Sequence, residues 1–221
     1  DSGYSKGDTL TCTVVATDAS DSIDTGTASV TVGNTPPVID GVVLTPSSVY
    51  TNDTVSAVAT ATDTDGDAVT LSYAFQVNGT VMAATGSSLS GVSHFDKGDS
   101  ISVVVTADDG EATDTVTSGA ITVQNTAPSA PVVSVIQRDD PDAGIAGLFC
   151  SIDTPSSDAD GDSVAYNIAW YVNGSAYTET ETSTITGDTV PFEALDSDQE
   201  WTCEAIPDDG EASGAPGTGS L

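Results

Sequence analysis

Residues 150–174 read CSIDTPSSDADGDSVAYNIAWYVNG. After the acidic centre of this stretch, Val164, Tyr166, Ile168, Trp170 and Val172 fall at every second position, the spacing that lines one face of a half-buried strand. An earlier stretch, VSAVATATDTDGDAVTLSYAFQVNG at 55–79, repeats the arrangement, with Leu71, Tyr73, Phe75 and Val77 on the matching face. Between the two runs of each stretch lies a loop of three closely spaced carboxylates and one glycine. These are Asp63, Asp65 and Asp67 around Gly66, and Asp158, Asp160 and Asp162 around Gly161. Carboxylates so close repel one another, so the loop needs something to hold it.

Other segments recur with the same period. KGDTLTCTVVATD at 6–18 returns as KGDSISVVVTADD at 97–109 and as SDQEWTCEAIPDD at 197–209. NTPP at 34–37 matches NTAP at 125–128, and DDGEA occurs at 108–112 and 208–212. A period of about 90 to 100 residues suits a small β-sandwich. Ile101, Val103, Val105 and Ala107 form another alternating face, matched by Trp201, Cys203 and Ala205 and by Leu10, Cys12, Val14 and Ala16. No segment has helical periodicity, so the chain is expected to be all-β. Three segments are expected: 1–33, the C-terminal part of a repeat; 34–124, a complete repeat; and 125–221, a repeat lacking its final strand. On this reading the chain is a window on a longer array, or its partial units are completed by strand exchange.

The composition suits a folded chain and excludes some partners. Apolar residues make up 38% of the 221 positions, enough to build cores, while 34 acidic residues face three basic ones, Lys6, Lys97 and Arg138, for a net charge of −31. Nucleic acid and anionic lipid would be repelled by such a surface. No apolar run reaches the roughly 20 residues that span a bilayer, so no membrane insertion is expected of this segment. No signal peptide opens the chain, which is expected to start after processing or inside a longer protein. The cysteines, Cys12, Cys150 and Cys203, are odd in number, which leaves one without a partner in any closed disulfide set.

The order of Cys150, Trp170 and Cys203, with the motifs NTAPSAPVVS and WTCEAIPDDG, resembles the immunoglobulin-like sandwich. It resembles most closely the tandem Ig-like repeats, cadherin-like or PKD-like, of bacterial secreted and cell-surface proteins. The resemblance implies a disulfide between Cys150 and Cys203 across the two sheets, with Trp170 packed against it. Buried free thiols are the alternative. In the preceding repeat Val55, Phe75 and Val103 hold the equivalent places, so an apolar contact would replace the bond. Cys12 holds the place of Cys203, and its partner is expected on a strand upstream of residue 1. A disulfide implies an oxidising, extracellular compartment.

The resemblance also implies that the acidic loop and the DDGEA turn lie at one end of the sandwich, where the linker enters. Asp63, Asp65, Asp67, Asp108, Asp109 and Asn34 would then converge, as would Asp158, Asp160, Asp162, Asp208, Asp209 and Asn125. Calcium, a hard cation with six to eight oxygen ligands, fits such a set. The loop is no EF-hand: the glycine comes early and the twelfth position holds Ala74 or Ala169. The other reading is a solvated turn whose aspartates cap their own backbone. Lys6 and Lys97 read as exposed turn residues rather than partners in an isopeptide crosslink. Asp139, Asp140 and Asp142 read as a solvated turn, and sequons at Asn52, Asn78 and Asn173 leave glycan attachment open.

The lone histidine, His94, reads as a surface or edge residue, and no enzyme is expected. The expected function is structural: a rod, stalk or filament, calcium-stiffened at domain junctions, its partners being neighbouring repeats or copies of itself. Prolines 36, 37, 128 and 131 make the linkers extended. The alternative is an adhesin arm that binds a glycan or a cell-surface ligand. Trp201 and Tyr177 are its candidate contact residues, and a buried Trp201 would remove the best of them.

Overall fold

The computed structural model describes residues 3–84, 86–140, 145–178, 181–183 and 187–221. The chain is all-β and divides into two units. One comprises Asp1–Val49, Asp53–Phe95 and Asp99–Val123, and the other comprises Tyr50–Asn52, Asp96–Gly98 and Gln124–Leu221.

The first unit begins with a hairpin, β1 (Thr9–Thr17) and β2 (Ile23–Thr31), paired without a slip from Thr9↔Thr31 to Thr17↔Ile23. Then follow β3 (Val38–Thr45), β4 (Val49–Tyr50), β5 (Thr54–Thr62), β6 (Thr70–Val77), β7 (Thr80–Val81), β8 (Ser88–Ser90) and a four-residue helix, α1 (Gly91–His94). β9 (Ser100–Asp108), β10 (Thr113–Thr117) and β11 (Ile121–Gln124) complete it. Strands β3, β5 and β8 form one sheet, and β4-β11-β9-β6-β7, with β10 on β9, form the other. The side chains between them make a single core. Val55 on β5, Phe75 on β6 and Val103 on β9 are all fully buried in it, as expected for an apolar substitute for the disulfide. Phe75 and Val103 face each other directly across the ladder.

The second unit contains β12 (Val132–Asp140), β13 (Ile145–Thr154), β14 (Ala165–Val172), β15 (Ser175–Tyr177), β16 (Glu181–Ser183) and β17 (Gly187–Pro191). A 3-10 turn (Phe192–Ala194), β18 (Trp201–Asp208) and β19 (Gly217–Ser220) complete it. Its sheets run β12-β13-β17-β16 and β15-β14-β18-β19, the strand order of an immunoglobulin-like sandwich. Cys150 on β13 is bonded to Cys203 on β18, and Trp170 sits directly opposite Cys203 in the ladder, 1% exposed. Of the expected RDDPDAG turn, Asp139 and Asp140 end β12, and Asp142 lies outside the described residues.

Where residues 125–221 were expected to lack a closing strand, β19 pairs with β18 from Thr202↔Ser220 to Ala205↔Gly217. Its glycines make this closure work. A Cβ on Gly217 would lie 2.2 Å from the Pro131 carbonyl oxygen, and one on Gly219 would lie 2.8 Å from the Ser134 Cα. The sequence there offers no β-branched alternation to announce a strand, because close approach of β12 selects against side chains.

The sequons at Asn78 and Asn173 are turn residues of two-residue Asn-Gly hairpins, at φ 51° and 50°. Their side chains brace the neighbouring strands: Ser100 N donates to Asn78 Oδ1 at 3.0 Å, and Glu200 N donates to Asn173 Oδ1 at 2.9 Å.

Candidate metal sites in the acidic loops

Each acidic loop bridges the two sheets of its sandwich, leaving β5 or β13 and entering β6 or β14. Its turn is built by its first aspartate. Asp63 Oδ1 accepts from the amides of Asp65 at 2.8 Å and Asp67 at 3.1 Å, and Asp158 Oδ1 does the same for Asp160 at 2.8 Å and Asp162 at 3.2 Å. This is the self-capping expected of a solvated turn. Gly66 and Gly161, at φ 82° and 80°, supply the left-handed step between them.

Self-capping leaves half of each first carboxylate unaccounted for. Asp63 Oδ2, Asp158 Oδ2 and Asn34 Oδ1 are out of reach of solvent and have no hydrogen-bond partner. A buried acceptor without a donor is costly, more so when charged. In each loop one oxygen from each of the three aspartates lies within 4.8 Å of the others. Oxygens bound to a common ion at about 2.3–2.6 Å can be no further apart than about 5 Å, so both triads are able to hold a metal ion.

The linker segments are tied to these loops in both units. Thr35 N donates to Asp65 Oδ2 at 2.6 Å and Thr126 N to Asp160 Oδ2 at 2.6 Å. Asn34 Nδ2 donates to Asp109 Oδ2 at 2.9 Å, and Asn125 Nδ2 to Asp209 Oδ2 at 2.8 Å. The other oxygen of Asp109 takes the amides of Glu111 and Ala112, both at 2.7 Å. The Asn34 amide first, then these backbone donors and the Lys6 charge, lower the Asp109 pKa to about 2. Asp209 is lowered in the same way, chiefly by Asn125. Asp108 and Asp208 serve their own turns, each accepting the amide two residues on, from Gly110 and Gly210. The structure thus gathers each triad into a group able to hold an ion and uses Asp109 and Asp209 to anchor the linker asparagines.

No protein-family model matches the chain, and no curated protein matches it. Among solved structures it is similar to the crystal structure of domains A168-A170 from titin. The identity is 14%, the TM-score 0.31, and the match covers 97% of this chain and 74% of that one.

Lys6 and Lys97 correct the expectation of exposed turn lysines. Lys6 Nζ lies 2.7 Å from Asp67 Oδ2 and 2.6 Å from Glu111 Oε1, and Lys97 Nζ lies 2.5 Å from Asp162 Oδ2 and 2.8 Å from Glu211 Oε1. Lys97 also donates to Asn125 Oδ1 at 3.0 Å. Hydrogen bonds to these carboxylates hold both ammonium groups well above the ordinary lysine range. The third aspartate of each triad is therefore shared with a fixed cation. Glu111 and Glu211 also belong to the site. Their signal was the recurrence of KGD, at 6 and 97, and of DDGEA, at 108 and 208.

His94 ends α1, with Nδ1 3.0 Å from both Ser90 O and Ser93 Oγ. Trp201 is 4% exposed and stands edge-on to Trp170 and Tyr177, with ring centroids 6.3 Å and 5.0 Å away. Both tryptophans belong to the core.

Proposed function

We propose that this chain is a structural repeat protein of the cell surface or extracellular space, a section of a rod, stalk or filament whose acidic loops bind calcium. The observation that carries the calcium reading is the buried, unpartnered Oδ2 of Asp63 and of Asp158, each within a triad of carboxylates. Calcium is favoured over magnesium because three closely set carboxylates suit an ion that takes six to eight oxygens at flexible geometry, whereas magnesium demands a near-ideal octahedron and gives up its waters reluctantly. A bound ion would fix Asp65 and Asp160 in place, and through them the Thr35 and Thr126 amides. The proline-bearing linkers beside those amides would be stiffened at their starting points.

Neighbouring repeats or further copies are the partners this reading implies. The disulfide and the absence, among the described residues, of a helix long and apolar enough to cross a membrane are compatible with the extracellular setting. Burial of Trp201 removes the aromatic that would best have served an adhesin, so the structural reading is preferred.

The test is thermal unfolding and calorimetric titration of the protein in chelator, magnesium and calcium at fixed ionic strength. Calcium should raise Tm by several degrees and titrate to two ions per chain, one for each triad. Asp63→Asn with Asp158→Asn should abolish both effects, since asparagine keeps the turn-forming oxygen and removes the charged, unpartnered one. Equal curves in all three media would refute the calcium reading.

A further inference from the structure

The β1–β2 hairpin carries an inner face that nothing among the described residues covers. Leu10, Cys12, Val14 and Ala16 correspond in the repeat to Ile101, Val103, Val105 and Ala107 of β9 and to Trp201, Cys203, Ala205 and Pro207 of β18. Those eight residues are all buried. On the hairpin, Cys12 is an exposed free thiol, Val14 is 63% exposed and Val30 is also 63% exposed. A hollow of about 320 Å³ opens along this face, lined by Leu10, Cys12, Ala28 and Val30 among others. Across the ladder Cys12 faces Ala28, as Cys203 faces Gly219. The small partner leaves room above the sulfur.

We infer that this face is one half of a sandwich, and that its occupant is a strand pair of the β12–β13 kind from another repeat of this type, carrying a cysteine that bonds Cys12. The chain itself shows what covers such a face. Over β18 it is β12 and β13, with Cys150 bonded to Cys203 and Leu148, Val133 and Val135 filling the space around it. A second copy of this chain cannot supply that cysteine through β13, because Cys150 is already bonded. The inference rests on the repeat-protein reading and names the partner that reading requires. The bond forms by two exchanges: Cys12 thiolate attacks a low-molecular-weight disulfide and expels one thiolate, and the partner's thiolate then attacks Cys12 Sγ in the mixed disulfide and expels the second. The small disulfide takes up the two electrons.

The experiment offers the 221-residue protein a synthetic peptide reproducing residues 132–154, in a glutathione redox buffer containing chelator, so that calcium plays no part. The control peptide exchanges Phe149 and Cys150, which turns the thiol to the other face of the strand. Mass spectrometry should show Cys12 joined to the first peptide at least about tenfold more than to the control. A parallel arm needs no bond. Protein Cys12→Val with peptide Cys150→Val, copying the Val103 and Val55 pair of the first unit, should protect β1 and β2 amides from exchange. Equal yields from both peptides, or no amide protection, would overturn the inference. So would preferential Cys12–Cys12 dimers, which would assign the face to a second copy. A negative result here with calcium binding intact would sink only the docking partner, leaving the metal reading standing.

Discussion

Lys6 and Lys97 are two of only three basic residues in the chain, and both are spent on the acidic loops. An isolated surface ion pair contributes little. Here one ammonium serves two carboxylates at once, in a chain where almost every other charge is negative, so its removal leaves repulsion behind. Lys97→Met is expected to lower Tm in chelator by a few degrees. It should also tighten calcium binding at the Asp158 triad several-fold, because Asp162 Oδ2 is no longer shared; unchanged affinity by calorimetry would show that ammonium and ion do not compete. Asp109 carries a second residue-scale prediction. Its pKa of about 2 lies below the ordinary carboxylate value of 3.8, so its contribution to stability is complete above pH 4 and lost as pH falls towards 2. Asn34→Ala removes the leading cause and should raise this pKa towards its ordinary value, moving the loss to higher pH. Carbon-detected titration of the carboxyl group reads the shift directly.

At the scale of the element, what was legible followed from burial on one face. In β9 and β18 every second residue faces the core, and the burial alternates without a break across Ile101, Val103, Val105 and Ala107 and across Trp201, Cys203 and Ala205. The triads were legible for a different reason: their three carboxylates fall within five consecutive residues, so bringing them together needs no long-range contact. The lysine clasps were legible only as a recurrence: KGD repeats, but Lys6 and Asp67 are 61 residues apart, and the repeat does not say which carboxylate the lysine meets. Strand β19 was not legible, because its GTGS sequence reflects the approach of β12 rather than strand propensity. Gly217→Ala should therefore cost about 1–3 kcal/mol through overpacking against Pro131, measured by urea unfolding. An unchanged midpoint would mean β19 contributes no closure. Cys150→Val with Cys203→Val copies the apolar solution already present at Val55 and Val103. The pair should leave the second unit folded but about 4 kcal/mol less stable by the chain-entropy account of a 53-residue separation, with the unfolding of the first unit unmoved.

For the whole molecule the governing quantity is the charge of −31, which opposes folding through self-repulsion. Two remedies are physically distinct and have different signatures. Monovalent salt screens every exposed carboxylate alike, with a screening length that falls from about 30 Å at 0.01 M to about 10 Å at 0.1 M, so its effect grows smoothly with ionic strength. An ion seated in a triad acts by mass action and saturates. Tm measured against sodium chloride in chelator should accordingly rise gradually, without a plateau at a fixed stoichiometry. Calcium added at constant ionic strength should give a further rise that levels off once two ions are bound. The variant bearing Asp63→Asn and Asp158→Asn separates the two remedies: it should keep the full response to sodium chloride while losing the calcium step. If the variant loses both, the triads act through the charge they add to the whole rather than as sites. If it keeps both, calcium binds at a place other than the triads, and the Oδ2 atoms of Asp63 and Asp158 are satisfied some other way.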